Sequence, residues 1–175
     1  MSFNSEYFDS FNAAKKDLVL TGNHANGDDV LVIIANGIMD TYNSPDACKA
    51  ILQTVTSDTG KNIVLDLEQL TYVSSTGVGT LVEILKTSTI LDKSLFLLNM
   101  NTKVKEVMDL LGFLQMFLVV STIEEVKTIG KSSIFPMNIK CLSCSAKLRI
   151  PKAGRFKCSQ CKKVIEANKD GKLTI

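Results

Sequence analysis

The chain has no tryptophan, three prolines and one histidine, His24. A single histidine leaves little from which to build a Ser-His-Asp or Cys-His machine, and His24 is expected to be a solvated residue of a polar loop. Paired carboxylates are also missing. Asp66 and Glu68 alternate at a strand end, and no partner for a glycosidase-like pair can be assigned. No run approaches the roughly 18 apolar residues of a membrane span. Met1 to Phe11 is polar and mildly acidic, unlike a secretion signal. These absences argue against an enzyme, a membrane-spanning protein and a secreted one.

What is present divides in two. Apolar residues make up 45% of the 175 positions, enough for a core, and the net charge is only +2. Residues 1–130 hold nine lysines against sixteen acids, a balance of −7, whereas residues 131–175 hold eleven Lys and Arg against Glu166 and Asp170, a balance of +9. The sequence therefore predicts a domain over 1–130, a linker containing Ser, Lys and Pro over 131–138, and a basic module over 139–175.

That module carries Cys141-x-x-Cys144 and Cys158-x-x-Cys161, two pairs separated by thirteen residues. Each pair can reach one ion from a tight knuckle, and the intervening stretch is long enough for a hairpin to bring the pairs together. This is the arrangement that tetrahedral thiolate coordination of structural Zn²⁺ needs. Four sulfurs close the coordination sphere, so no position remains for activating water. Cys48 is a fifth, unpaired cysteine, expected to act as a small buried hydrophobe, and an odd count suits a reducing cytoplasm.

In residues 1–130, short β-branched runs alternate with amphipathic stretches. Leu18–Leu20, Val30–Ile34, Ile63–Leu67, Ser94–Leu98 and Met116–Val120 are read as strands, with a turn over Asn23–Asp29. Ser44-Pro45-Asp46 reads as a cap, a first-turn proline and an acid at a helix start. Further helices are expected after Ser74 and Asn101, and after a Ser121/Glu124 capping box. The alternation predicts an α/β fold, a small, mostly parallel sheet packed with helices.

One junction stands out. Ser74-Ser75-Thr76-Gly77 lies where a buried strand gives way to a helix, with free N–H groups and small side chains in the first turn. On chemistry alone it is either a plain cap or a place for an anion or a phosphorylated side chain. Asn62-Ile63-Val64-Leu65-Asp66-Leu67, followed by Leu70-Thr71-Tyr72-Val73-Ser74-Ser75-Thr76-Gly77-Val78-Gly79, resembles the signature of STAS domains, the anti-sigma factor antagonist family. Gly37-Ile38-Met39-Asp40 with Ser44-Pro45, and Leu98-Asn99 through Gly112, are similar to further segments of that family, so the resemblance covers about residues 14–128.

The resemblance implies a non-enzymatic signalling regulator. Its partner would be a serine kinase that is also an anti-sigma factor. Phosphorylation at Ser75, or less favourably at Ser74 or Thr76, would release that partner. The implied partner surface comprises Asp40, Thr41, Tyr42, Asn43, Ser74, Ser75, Thr76 and Gly77. The family commonly has Asp where this chain has Ser74.

Residues 139–168 resemble a zinc ribbon of the kind appended to bacterial proteins, with Ser145 and Lys162 where glycine usually follows each second cysteine. Leu148, Ile150, Phe156 and Ile165 are expected to form its small core. Lys147, Arg149, Lys152, Arg155, Lys157, Lys162 and Lys163 can form a positive face, either a solubilising coat or a contact for nucleic acid or an acidic protein surface. The alternative function is accordingly a nucleic-acid-binding regulator with the first domain as scaffold or dimerisation element.

Overall fold

The computed structural model describes residues 5–25, 29–132, 137–151, 154–168 and 173–174. It divides into two compact units, Met1–Lys127 and Thr128–Ile175.

The first unit opens with α1 (Glu6–Ala14), then β1 (Leu18–Ala25), β2 (Val30–Met39) and α2 (Ser44–Ser57). It continues through β3 (Asn62–Asp66), β4 (Leu70–Val73), α3 (Ser75–Ile90), β5 (Ser94–Leu98) and α4 (Thr102–Leu110), to β6 (Leu118–Val120) and α5 (Ile123–Ser132), which runs across the boundary between the units. The sheet order is β1-β2-β3-β5-β6. Only the β1–β2 pair is antiparallel.

Continuous apolar runs make these strands because both of their faces are buried. Leu31, Ile33, Ile63, Leu65, Leu95 and Leu97 share one core with Phe8 and Phe11 of α1, Ile51 of α2, Leu81 of α3 and Met108 of α4. The alternate residues Val32, Val64 and Phe96 are buried as well.

β2 is twice the length read from its apolar run, and the extension positions the site. Its first half pairs with β3 from Val30 to Ile34, and its second half pairs with β4, with Met39 opposite Val73. Gly37 permits the extension. It has φ +117°, and an added Cβ would stand 2.1 Å from the Asp17 carbonyl oxygen. No L side chain fits there.

Several boundaries differ from the sequence reading. α1 was not expected, because the segment reads as polar; Phe8 and Phe11, three apart on one face, are both buried, and each contributes roughly 1.5–3 kcal/mol. β1 extends through His24 to Ala25, into the expected turn, whose tip at Gly27 and Asp28 lies outside the described residues. His24 is not a solvated loop residue: it contacts the Asp58 carboxylate at 2.5 Å, with both side chains largely buried. Asn43, not Ser44, precedes the first residue of α2. The last cap is displaced by one position, with the Glu125 N–H donating to Thr122 Oγ1 at 3.3 Å and the Ser121 N–H to Glu125 Oε2 at 3.1 Å. A single 3₁₀ turn, Leu114–Met116, occupies the start of the expected strand, which begins at Leu118.

The second unit contains β7 (Met137–Lys140), β8 (Lys147–Ile150), β9 (Gly154–Lys157), β10 (Val164–Ala167) and β11 (Leu173–Thr174). Of the span read as a linker, Lys131 and Ser132 belong to α5 and Met137 and Asn138 to β7, while 133–136 lie outside the described residues. β7 pairs with β8 and β9 with β10, so each hairpin closes over its own cysteine knuckle. The hairpin expected between the two cysteine pairs does not form, because β8 and β9 belong to different sheets. Ile150 and Ile165 are buried, with Leu148 and Phe156 half-buried beside them.

Candidate functional site

Because β2 and β4 run parallel and end side by side, the segments that leave them, 40–43 and 74–77, emerge at the same end of the sheet. Hydrogen bonds hold them there. The Ser74 N–H donates to the Met39 carbonyl at 2.9 Å, and Thr80 Oγ1 donates to the Ser44 carbonyl at 3.2 Å. Thr76 Oγ1 reaches Thr41 Oγ1 at 3.5 Å.

Gly77 makes this approach possible. An added Cβ would lie 2.9 Å from the Met39 carbonyl oxygen and 2.8 Å from Val73 Cγ2. Gly79, two residues further along α3, would meet nothing within 4 Å and is exposed. The two glycines therefore predict opposite results. Gly77→Ala is expected to destabilise the first unit by about 1–3 kcal/mol through overpacking. Gly79→Ala is expected to stabilise it by about 0.5–1 kcal/mol through helix propensity. Chemical denaturation of both variants checks the contrast.

The three hydroxyls have different tasks. Ser74 is buried, and its Oγ accepts from the Gly77 N–H at 3.1 Å, which caps α3. Ser75 is the first helical residue and is exposed; Thr76 is exposed beside it. Ser74→Ala is expected to cost about 1 kcal/mol in a thermal or denaturant melt.

The adjoining loop is divided in the same way. Asp40 Oδ1 accepts from the N–H groups of Tyr42 at 2.8 Å and Asn43 at 2.9 Å, so its carboxylate shapes the turn. Asn43 is buried, with its amide spent on the Asp40 N–H at 3.0 Å and the Ile38 carbonyl at 2.9 Å. Thr41 and Tyr42 face solvent, Tyr42 at 84% exposure. Of the eight residues implied by the resemblance, Thr41, Tyr42, Ser75 and Thr76 present open side chains; Asn43, Ser74 and Gly77 are buried, and the half-buried Asp40 is engaged in the turn.

Two contributors escaped the sequence reading. Tyr72, 51% exposed, stands on β4 directly before the junction. Lys15 at the end of α1 reaches Asp46 at 2.9 Å and donates to the Tyr42 carbonyl at 3.4 Å. Together with Asp40, Tyr42 and Asn43 it lines a cleft of about 330 Å³. The exposed aromatic at a strand end was a usable signal for Tyr72; nothing local marks Lys15. Cys48 is half-buried in a groove with Tyr7, Pro45 and Leu52, and its thiol is raised, by burial first and by Glu83 second.

In the second unit the four sulfurs of Cys141, Cys144, Cys158 and Cys161 all lie within 4.8 Å of one another. Cys141 Sγ is 3.7 Å from Cys161 Sγ, and Cys144 Sγ is 3.7 Å from Cys158 Sγ. A tetrahedral ion with Zn–S bonds near 2.3 Å separates its sulfurs by about 3.8 Å, close to the separation of these two pairs, so the cluster is one that could hold a metal. The knuckles repeat one backbone design. Ser145 N–H donates to the Cys141 carbonyl at 2.9 Å, and Lys162 N–H to the Cys158 carbonyl at 3.0 Å. Ser145 and Lys162 adopt φ 58° and 62°, the left-handed conformation that glycine usually supplies.

Electrostatics favours a cation at the centre. Backbone N–H groups, chiefly of Ser143 and Cys161, pull the Cys141 and Cys158 thiols down, the latter to about 6. At Cys144 the Ala146 N–H also favours the thiolate, but burial and the neighbouring sulfurs together push it up to about 12. Some sulfurs are thus poised as thiolates, and a full set of four requires a positive ion.

The first unit is an α/β domain in which an exposed hydroxyl, that of Ser75, stands at the start of α3. Residues 24–126 match the STAS domain family, and the chain belongs to it. STAS domains are non-catalytic regulatory modules. Residues 139–175 match a family described as a domain of unknown function, DUF8512.

Among solved structures, the unphosphorylated anti-sigma factor antagonist SpoIIAA shares 17% identity at TM-score 0.55, over 65% of this chain and 97% of that one. An anti-sigma factor antagonist from Mycobacterium paratuberculosis shares 19% at 0.53, over 67% and 97%. A sulfate transporter family protein from Wolinella succinogenes shares 18% at 0.53, over 62% and 89%. At these identities the likeness is one of fold. No helix among the described residues is long and apolar enough to cross a membrane.

Proposed function

We propose that this protein is a partner-switching regulator whose exposed Ser75, Thr76, Thr41 and Tyr42 bind a serine kinase of the anti-sigma type. Phosphorylation at Ser75 dissociates the complex. The observation that carries this reading is the division of labour at the junction: Ser74 is buried and occupied as the cap, while Ser75 stands exposed at the first position of α3. A phosphate there adds about −1.5 to −2 charges at a helix N-terminus, which the helix dipole tolerates. The fold survives, and the penalty falls on the interface.

The partner is tested by affinity capture from native lysate with wild-type, Ser75→Ala and Ser75→Glu proteins. Recovery of an ATPase of the histidine-kinase fold by wild type and Ser75→Ala, but not by Ser75→Glu, supports the reading; identical partner sets for all three defeat it. Phosphopeptide mass spectrometry of the native protein is expected to place phosphate on Ser75 and not on Ser74.

We further propose that the second unit is a zinc ribbon in which Cys141, Cys144, Cys158 and Cys161 hold one structural Zn²⁺. The sulfur spacing and the paired knuckles support it. The ion neutralises thiolates and clamps two hairpins whose own core is only a few residues.

A further inference from the structure

The four cysteines of the second unit differ in how they meet solvent. Cys141 and Cys158, the first of each knuckle, are 3% and 0% exposed, whereas Cys144 and Cys161, the second of each, are half-buried. The same order holds in both knuckles. An oxidant arriving from solution therefore meets Cys144 and Cys161 before the other two.

Burial narrows the pairing that follows. An oxidised cysteine is resolved by a neighbouring thiolate, and each half-buried cysteine has two buried neighbours, one in its own knuckle and one in the other. Spacing separates these. Every sulfur of the cluster lies within 4.8 Å of the rest, and the pairs at 3.7 Å, Cys161 with Cys141 and Cys144 with Cys158, both run between the knuckles. A disulfide needs about 2.05 Å, so each of these pairs has less than about 2 Å to close.

The two pairings constrain the fold differently. A link inside one knuckle joins residues three apart and leaves the hairpins untied. Links between the knuckles join the β7–β8 hairpin to the β9–β10 hairpin, the elements that a metal would clamp.

We propose that Cys144 and Cys161 are peroxide-oxidation sites whose oxidation converts the cluster into two disulfides between the hairpins, Cys141–Cys161 and Cys144–Cys158, and expels the ion held there. Cys161 Sγ attacks one oxygen of hydrogen peroxide and the O–O bond breaks. Cys161 becomes a sulfenic acid, and the departing hydroxide takes a proton to form water. Cys141 Sγ then attacks Cys161 Sγ, the S–O bond breaks, and a second hydroxide leaves as water after taking a proton. In each pair two thiolates lose two electrons, and one peroxide gains them. Cys144 and Cys158 repeat the sequence. The proposal rests on the zinc reading only for the ion it expels, and it is independent of Ser75.

The test treats the reduced, zinc-loaded full chain with hydrogen peroxide. Released zinc is followed with a chromogenic chelator, and a parallel sample contains dimedone to trap sulfenic acid. Trypsin cuts after Lys140, Lys147, Lys157 and Lys162, so links between the knuckles join two peptides and links within them do not. Zinc release is expected to be complete at about two equivalents of peroxide per chain. Dimedone should mark Cys144 and Cys161, and peptides 141–147 and 158–162 should be joined, with fragmentation placing Cys141 on Cys161 and Cys144 on Cys158. Links within a knuckle, dimedone on Cys141 and Cys158, or zinc retained against excess peroxide would overturn the proposal. A chain that binds no zinc at the outset refutes the zinc reading instead, and the same peptide map of the reduced, metal-free chain then decides the pairing.

Discussion

Cys158→Ser is expected to abolish metal binding and to unfold the strands β7 to β11, while the first unit keeps its own cooperative transition. Among its described residues the second unit has few buried apolar side chains, principally Ile150, Ile165 and Ala167, besides Cys141 and Cys158. Burial of that size supplies only a few kcal/mol against the entropy of ordering some thirty residues. Structural zinc contributes about 10–16 kcal/mol of apparent binding energy in comparable peptides at neutral pH, and this is folding energy. Removing one of four ligands also leaves three sulfurs crowded without their counter-ion.

Elemental analysis should find one zinc per wild-type chain and none in the variant. Amide exchange should show protection lost from β7 to β10 alone. Retained protection after complete chelation would refute the metal's structural role. Protons compete for the same sulfurs, so the metal should be released as pH falls, beginning with the thiolates that are hardest to keep ionised. Cys144, pushed up to about 12 without a cation, is the most demanding of them.

Ser75→Glu, or phosphate on Ser75, should weaken partner binding by about 100-fold or more. A charge on an exposed residue at the centre of a contact surface must be desolvated, and an unmatched or like charge opposite it costs several kcal/mol. Ser74→Ala provides the control. It removes a cap worth about 1 kcal/mol but leaves the surface hydroxyls in place, so affinity should change little once the fraction folded is accounted for. Isothermal titration against the captured partner separates the two effects. If Ser74→Ala abolished binding and Ser75→Glu did not, the assignment would have to move to the buried serine.

The features that were legible in the sequence are those set by local chemistry. Continuous apolar runs announced β2, β3 and β5, because strands buried on both faces cannot be polar on alternate positions. Asn101 announced α4: its Oδ1 accepts from the Val104 N–H at 3.0 Å. The cysteine spacing announced a cluster because ligand reach is a property of a few adjacent residues. The family resemblance rested on such local runs and gave the binding-module class.

Tertiary structure decided the rest. Chemistry alone does not separate three consecutive hydroxyls; in the fold Ser74 is buried and caps α3 through the Gly77 N–H, while Ser75 and Thr76 are open. Asn43 looked like a surface loop residue until the turn around Asp40 drew its amide inward. Hairpin pairing across each knuckle, rather than between them, depends on where the four sulfurs converge. The two cysteine pairs that dominate the sequence thus marked the second unit, and the ladders on either side of each knuckle decided which of its residues turn inward.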